Sequence, residues 1–153
     1  MSELLSSSPA DTRAFAAELA RKADPGDIVT LDGDLGAGKT EFAKGFAEGL
    51  ALPYPEDVVS PTFSLMQIHE GGRLPMYHFD VYRLEDASEA EEIGIDEYLF
   101  GEGVCLIEWA SRIREILPGE RITAVTIERV PGRGEEDRRI TIRRPDDHED
   151  IGD

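Results

Sequence analysis

The run Gly33-Asp34-Leu35-Gly36-Ala37-Gly38-Lys39-Thr40 satisfies the spacing G-x-x-x-x-G-K-[ST] in full. Glycines so spaced let backbone N–H groups turn inward around a phosphate chain. The lysine brings a point charge to the β- and γ-phosphates, and the adjacent hydroxyl is a ligand for Mg²⁺. At average glycine usage, a chance match in a chain this short is on the order of one in a few hundred. Gly33, Gly38, Lys39 and Thr40 are therefore the first candidates for a nucleotide site.

A phosphate loop also needs a second Mg²⁺ ligand or a water-positioning acid, found where a buried strand opens onto the nucleotide. Val104-Cys105-Leu106-Ile107-Glu108 is four apolar residues ending in an acid, and Tyr77-His78-Phe79-Asp80 likewise ends in one. Each acid could equally mark where a strand meets solvent. Ser60 or Thr62, in Ser60-Pro61-Thr62-Phe63, could approach a γ-phosphate as a switch segment does.

The elements that must position these groups are legible around them. Ile28-Val29-Thr30-Leu31 reads as a buried strand running into the loop. Thr40 to Leu50 reads as a helix leaving it, with Phe42, Ala43, Phe46, Ala47 and Leu50 on one face. A helix N-terminus aimed at the loop adds its dipole to the anion site. Upstream, Ser8 caps a helix with Pro9 at its first position, continuing from Ala10 to Ala23, and Asp24-Pro25-Gly26-Asp27 is a turn. Val58-Val59 reads as a short strand. Phe63 to His69 and Leu74 to Phe79 read as two strands joined around Glu70-Gly71-Gly72-Arg73. Residues 85–100 are acidic and helical in two pieces broken near Gly94, and Val104 to Ile107 is a buried strand. Arg121 to Arg129 and Arg138 to Arg143 alternate apolar with polar side chains, setting Ile122, Ala124 and Thr126 against Ile140 and Ile142. They flank a Pro-Gly-Arg-Gly turn as a hairpin. The expected fold is α/β: one P-loop NTPase-like domain over residues 1–144 with a mixed central sheet flanked by helices. Residues 145–153 are expected to form a disordered acidic tail.

Composition sets the outer limits. A chain of 153 residues suits one domain with one core. No apolar run is long enough to cross a bilayer, and residues 1–10 have neither a basic start nor an apolar h-region. The one cysteine, Cys105, sits in a buried-strand context, with no disulfide framework. These points lead to the expectation of a cytoplasmic protein without membrane partners. The formal net charge is −17, and removing the five acids of residues 146–153 leaves −12 on the rest. The whole body is acidic, which argues against independent gripping of DNA or RNA. With no asparagine in the chain, the Asn-Lys-x-Asp guanine signature of GTPases cannot be present.

Taken in order, Gly33 to Thr40, Ser60-Pro61-Thr62-Phe63, His78-Phe79-Asp80-Val81-Tyr82-Arg83-Leu84 and Leu106-Ile107-Glu108-Trp109 resemble the TsaE (YjeE) family over about residues 4–144. These are the small ATPases of bacterial tRNA threonylcarbamoyladenosine synthesis. Ala110, where many relatives carry proline, is a small departure. The resemblance implies ATP and Mg²⁺ as cofactors. It implies Lys39, Asp80 and Glu108 as catalytic candidates, with Thr40, Asp80 and Glu108 around the metal. Thr12, Gly33, Gly36, Ala37, Gly38, Lys39, Thr40, Glu41, Thr62 and Trp109 are the implied nucleotide contacts, while His78, Tyr82 and Arg83 would shape the site or a partner surface. The implied activity is slow ATP hydrolysis that supports the TsaD–TsaB pair. Contact with tRNA would be only indirect, through that complex, and threonylcarbamoyl transfer would not be this chain's own reaction. Two alternatives remain at this stage. A small-molecule kinase would need an acceptor pocket and a basic lid, whereas Arg138, Arg139, Arg143 and Arg144 fall on an expected strand pair. A nucleotide-dependent binding module would bind without significant hydrolysis.

Overall fold

The computed structural model describes residues 1–34 and 36–145. Its elements in chain order are β1 (Ser2–Ser6), α1 (Pro9–Arg21), β2 (Ile28–Asp32), α2 (Lys39–Gly49), β3 (Met66–His69), β4 (Met76–Asp80), α3 (Ala87–Glu92), α4 (Ile95–Leu99), β5 (Val104–Glu108), β6 (Ile122–Arg129) and β7 (Arg138–Arg143). Short 3₁₀ segments cover Pro55–Asp57, Ala110–Ile116 and Gly119–Arg121.

The strands form one mixed seven-stranded sheet ordered β1-β7-β6-β2-β5-β4-β3. The four inner strands β6, β2, β5 and β4 are parallel. The β1–β7, β6–β7 and β3–β4 pairs are antiparallel. β2 and β5 lie in the middle of the sheet, which is why they read as continuous apolar runs. On one face, Leu31, Leu106, Val125 and Ile140 pack against Phe42 and Phe46 of α2 and Ala16 and Ala20 of α1. On the other, Ile28, Phe79, Cys105 and Ile107 pack against Ile95 and Leu99 of α4 and Ile113. Burial pushes the Cys105 thiol up to about 12, which leaves it an inert packing group.

α1 begins as its sequence dictates, with the Ser8 hydroxyl accepting from the Asp11 N–H and Pro9 opening the helix. The α1–α2 contact rests on Gly45 and Gly49, one turn apart on α2. A Cβ at Gly45 would overlap the Arg13 backbone, and one at Gly49 would overlap the Ala17 carbonyl. This seat fixes the axis of α2, and with it the end of the phosphate loop. Gly45→Val is expected to cost about 3 kcal/mol through overpacking against backbone, lowering the melting temperature by about 6–12 °C. Thermal melts followed by circular dichroism check this, and an unchanged melting temperature would mean the helices are not held at that spacing.

Three expectations need correction, and one strand was not foreseen. Val58-Val59 is not a strand: the chain leaves the Pro55–Asp57 turn extended but, among the described residues, without a pairing partner, Val58 buried and Val59 exposed. Phe63 to Leu65 belongs to a turn, closed by Leu65 N–H to the Pro61 carbonyl, and β3 starts only at Met66. β1 was not anticipated, because Ser2-Glu3-Leu4-Leu5-Ser6 has little β signal and is made a strand by pairing with β7. The hairpin is present, but its register sets Val125 opposite Ile142 and Ile127 opposite Ile140. Ile122 and Ala124 instead belong to the opposite face of the sheet. The expected acidic tail lies, apart from Pro145, outside the described residues.

Candidate functional site

The loop after β2 and the ends of β4 and β5 meet at the carboxyl edge of the parallel strands, where open α/β sheets bind ligands. Asp80 and Glu108 are the last residues of neighbouring strands and pair directly in register. Between them and the loop is a cavity of about 250 Å³. Gly36, Gly38, Lys39, Thr40 and Glu41 line one wall, and Ser60, Thr62, Asp80, Glu108 and Trp109 line the other.

The loop wall is an anion cradle. Gly38 takes φ 112° to turn the chain into α2, a conformation that only glycine adopts without strain, and no side chain caps the helix. Its first-turn N–H groups are thus left for a ligand, with the helix dipole behind them. Two arginines of the β6–β7 hairpin brace the loop from outside. Arg138 donates from Nε to the Ala37 carbonyl at 2.8 Å and from Nη2 to the Gly36 carbonyl, which also accepts from Arg129 Nη2 at 3.3 Å. Arg138 was read from the sequence only as a strand residue. It occupies a strand, yet its guanidinium holds the loop's backbone. A contact between residues so far apart in the chain carries no local sequence signal.

The opposite wall carries the acids. Glu108 is 1% exposed, accepts from Ser60 Oγ at 3.0 Å on Oε1, and lies 2.7 Å through Oε2 from His78 Nε2. Lys39 Nζ stands 4.0 Å from Oε1 and 4.4 Å from the centre of the Trp109 ring. Asp80 accepts from Thr62 Oγ1 and from the Tyr82 N–H, both at 3.1 Å. The hydroxyls of the Ser60–Phe63 segment are therefore each bonded to one of the two acids. Trp109 takes φ 63°, a left-handed conformation that a bulky residue enters only when its surroundings over-determine it. Here Lys39 lies on one side of the indole, and the Tyr82 ring contacts it at 4.8 Å.

Most of the sequence-derived candidates are gathered at this cavity; the rest lie beside or below it. Glu41 lines it, but its carboxylate is 3.9 Å from Arg13 of α1. Gly33 and Ala37 sit behind the loop, Gly33 against the Ile127 carbonyl and Ala37 fully buried. Thr12 is not on the cavity wall; it is buried in α1 with Oγ1 2.7 Å from Ser6 Oγ. Asp32, at the end of β2, was not singled out from the sequence. Burial holds its carboxyl above the ordinary value, with Arg114 and Lys39 pulling the other way.

The donor set suits Mg²⁺ held together with phosphates. Among the described residues no cluster of three or more His, Cys, Asp or Glu side chains stands ready to hold a metal alone. One hydroxyl and one or two carboxylates beside a phosphate cradle is the partial shell that Mg²⁺ takes when a nucleotide completes it. Among the described residues no helix is long and apolar enough to cross a membrane.

Comparison with known proteins agrees with this architecture. Residues 6–140 match the family model described as threonylcarbamoyl adenosine biosynthesis protein TsaE. The chain is 52% identical over 134 residues to the tRNA threonylcarbamoyladenosine biosynthesis protein TsaE of Bacillus subtilis, covering 88% of this chain and 80% of that one. The protein of the same name from Treponema pallidum is 42% identical over 119 residues, covering 78% and 86%. A crystal structure of Bacillus subtilis YdiB superposes with a TM-score of 0.74 at 43% identity, covering 92% of this chain and 83% of that one.

Proposed function

The chain belongs to the TsaE family, and from that membership we propose that it serves tRNA threonylcarbamoyladenosine biosynthesis as an Mg²⁺-dependent, slowly hydrolysing ATP-binding subunit acting on TsaD and TsaB. The observation that carries the nucleotide part is the meeting of Lys39 and Thr40 with Glu108 and Asp80 across one cavity. In this reading the first turn of α2 and Lys39 bind the β- and γ-phosphates, and Thr40 with Glu108 holds Mg²⁺. The metal, when bound, neutralises charge on the transferring phosphate. Asp80 and Thr62 keep the Ser60–Phe63 segment against the site.

The adenosine end is assigned to a narrow cleft bordered by Ser7, Val130 and Arg138, with Ser6 in its wall. Thr12 would edge it through its bond to Ser6. The acidic body supports action through protein contacts rather than through tRNA directly, and a cytoplasmic location is part of the proposal.

The test is multiple-turnover reconstitution of tRNA modification with TsaD, TsaB and the threonylcarbamoyl donor, with and without this protein and ATP·Mg²⁺. Product beyond one turnover per TsaD is expected only when both are present. Equal yields without the protein would defeat the functional reading and leave the ATP site standing.

A further inference from the structure

His78 has no place on the cavity wall, yet it makes the shortest hydrogen bond to the acid that does. Resting on the Mg²⁺·ATP reading above, we propose that His78 is a positioning residue for the metal: it ties down Oε2 of Glu108 so that Oε1 alone is presented to Mg²⁺.

The two oxygens of Glu108 have partners of different kinds. Oε1 faces Ser60 and Lys39. Ser60 sits in a segment outside the sheet, and Lys39 is the base that a phosphate chain would draw away. Both partners can be exchanged for a ligand. Oε2 faces His78, which is 0% exposed in the interior strand β4 and in register with Leu106 of β5. That partner cannot leave without opening the sheet.

The tautomer follows from the network. Among the described residues His78 Nδ1 has no hydrogen-bond partner, so Nε2 is assigned a proton, which it donates to Oε2 at 2.7 Å. A carboxylate held this way cannot rotate to offer both oxygens, and Mg²⁺ demands near-ideal octahedral geometry from few protein ligands. Partners that orient metal ligands typically contribute 10–100-fold to metal affinity.

The experiment measures ATP affinity by calorimetry across a series of Mg²⁺ concentrations, and again with the metal chelated, for the wild type, His78→Leu and His78→Gln. Glutamine can carry an N–H donor to the reach of Nε2; leucine cannot. We expect His78→Leu to raise the half-saturating Mg²⁺ concentration about tenfold while metal-free ATP binding stays within about twofold. His78→Gln should return the midpoint to within about threefold of wild type, even if its melting temperature falls. Where leucine does not fold at this buried site, His78→Asn, whose amide stops short of Glu108, takes its place with the same expected shift. A wild-type Mg²⁺ midpoint in the leucine or asparagine variant would overturn the assignment, as would a glutamine variant equally impaired, since a merely structural histidine behaves that way. A wild type whose ATP binding does not respond to Mg²⁺ would overturn the metal part of the proposed function, and this assignment with it, whereas no ATP binding at all would overturn the nucleotide reading itself.

Discussion

Lys39→Ala is expected to weaken ATP binding by at least a hundredfold while leaving the fold intact. Among the described residues lining the cavity, Lys39 is the one base, set against Asp80, Glu108 and Glu41, whose Oε2 lies 3.9 Å from Arg13. A polyphosphate entering such a cavity meets several carboxylates and a single cation. Two unit charges about 4 Å apart at an effective dielectric of about 20 interact by about 4 kcal/mol, and every 1.4 kcal/mol is about a factor of ten in affinity. Removing the cation thus forfeits most of the direct attraction that the side chains provide. The fold should survive because Glu108 keeps its bonds to Ser60 and His78. Calorimetric titration with ATP·Mg²⁺, alongside circular dichroism of the variant, is the check. Binding within about threefold of wild type would show that Lys39 does not serve the phosphates.

The same cavity marks how far local patterns reach. Loop, strand and helix at residues 28–50 are legible because each rests on contiguous signals: an apolar run, a glycine spacing and a helical stripe. The acids are legible as strand ends, but their direct pairing in register depends on β4 and β5 lying side by side, which no local pattern states. Thr12, which the family resemblance implies as a nucleotide contact, lies off the cavity wall with its hydroxyl bonded to Ser6 of β1, an edge strand that exists only through pairing with β7. Arg129 and Arg138 were invisible as loop braces because their reach to residues 36 and 37 depends on β6 lying beside β2. His78 stood in plain view between apolar neighbours, but its bond to Glu108 crosses from one strand to the next. What was missed at the site rests on tertiary contacts, whereas the Phe63–Leu65 turn is a local feature closed within its own segment.

Glu108→Gln is expected to lower the ATP turnover number about a hundredfold while ATP affinity at saturating Mg²⁺ changes by less than about threefold. Glutamine keeps the volume, and with its oxygen toward His78 its amide N–H can donate to the Ser60 hydroxyl, so the Ser60–Phe63 segment should stay seated. What disappears is the charge facing Lys39 and the anionic oxygen offered to Mg²⁺. Ground-state binding has an offsetting gain, since one fewer carboxylate repels the phosphates. The loss therefore falls on the transition state, where charge on the transferring phosphate needs a correctly held metal and an ordered water. Asp80 is the internal comparison. Both of its oxygens are occupied, by the Thr62 hydroxyl and the Tyr82 N–H, which makes it the anchor of the neighbouring segment. Asp80→Asn should therefore raise KM along with lowering turnover, whereas Glu108→Gln changes turnover almost alone. Steady-state hydrolysis and equilibrium binding on the two variants separate these patterns. A Glu108→Gln protein hydrolysing at the wild-type rate would remove Glu108 from the chemistry and leave Asp80 as the acid to test.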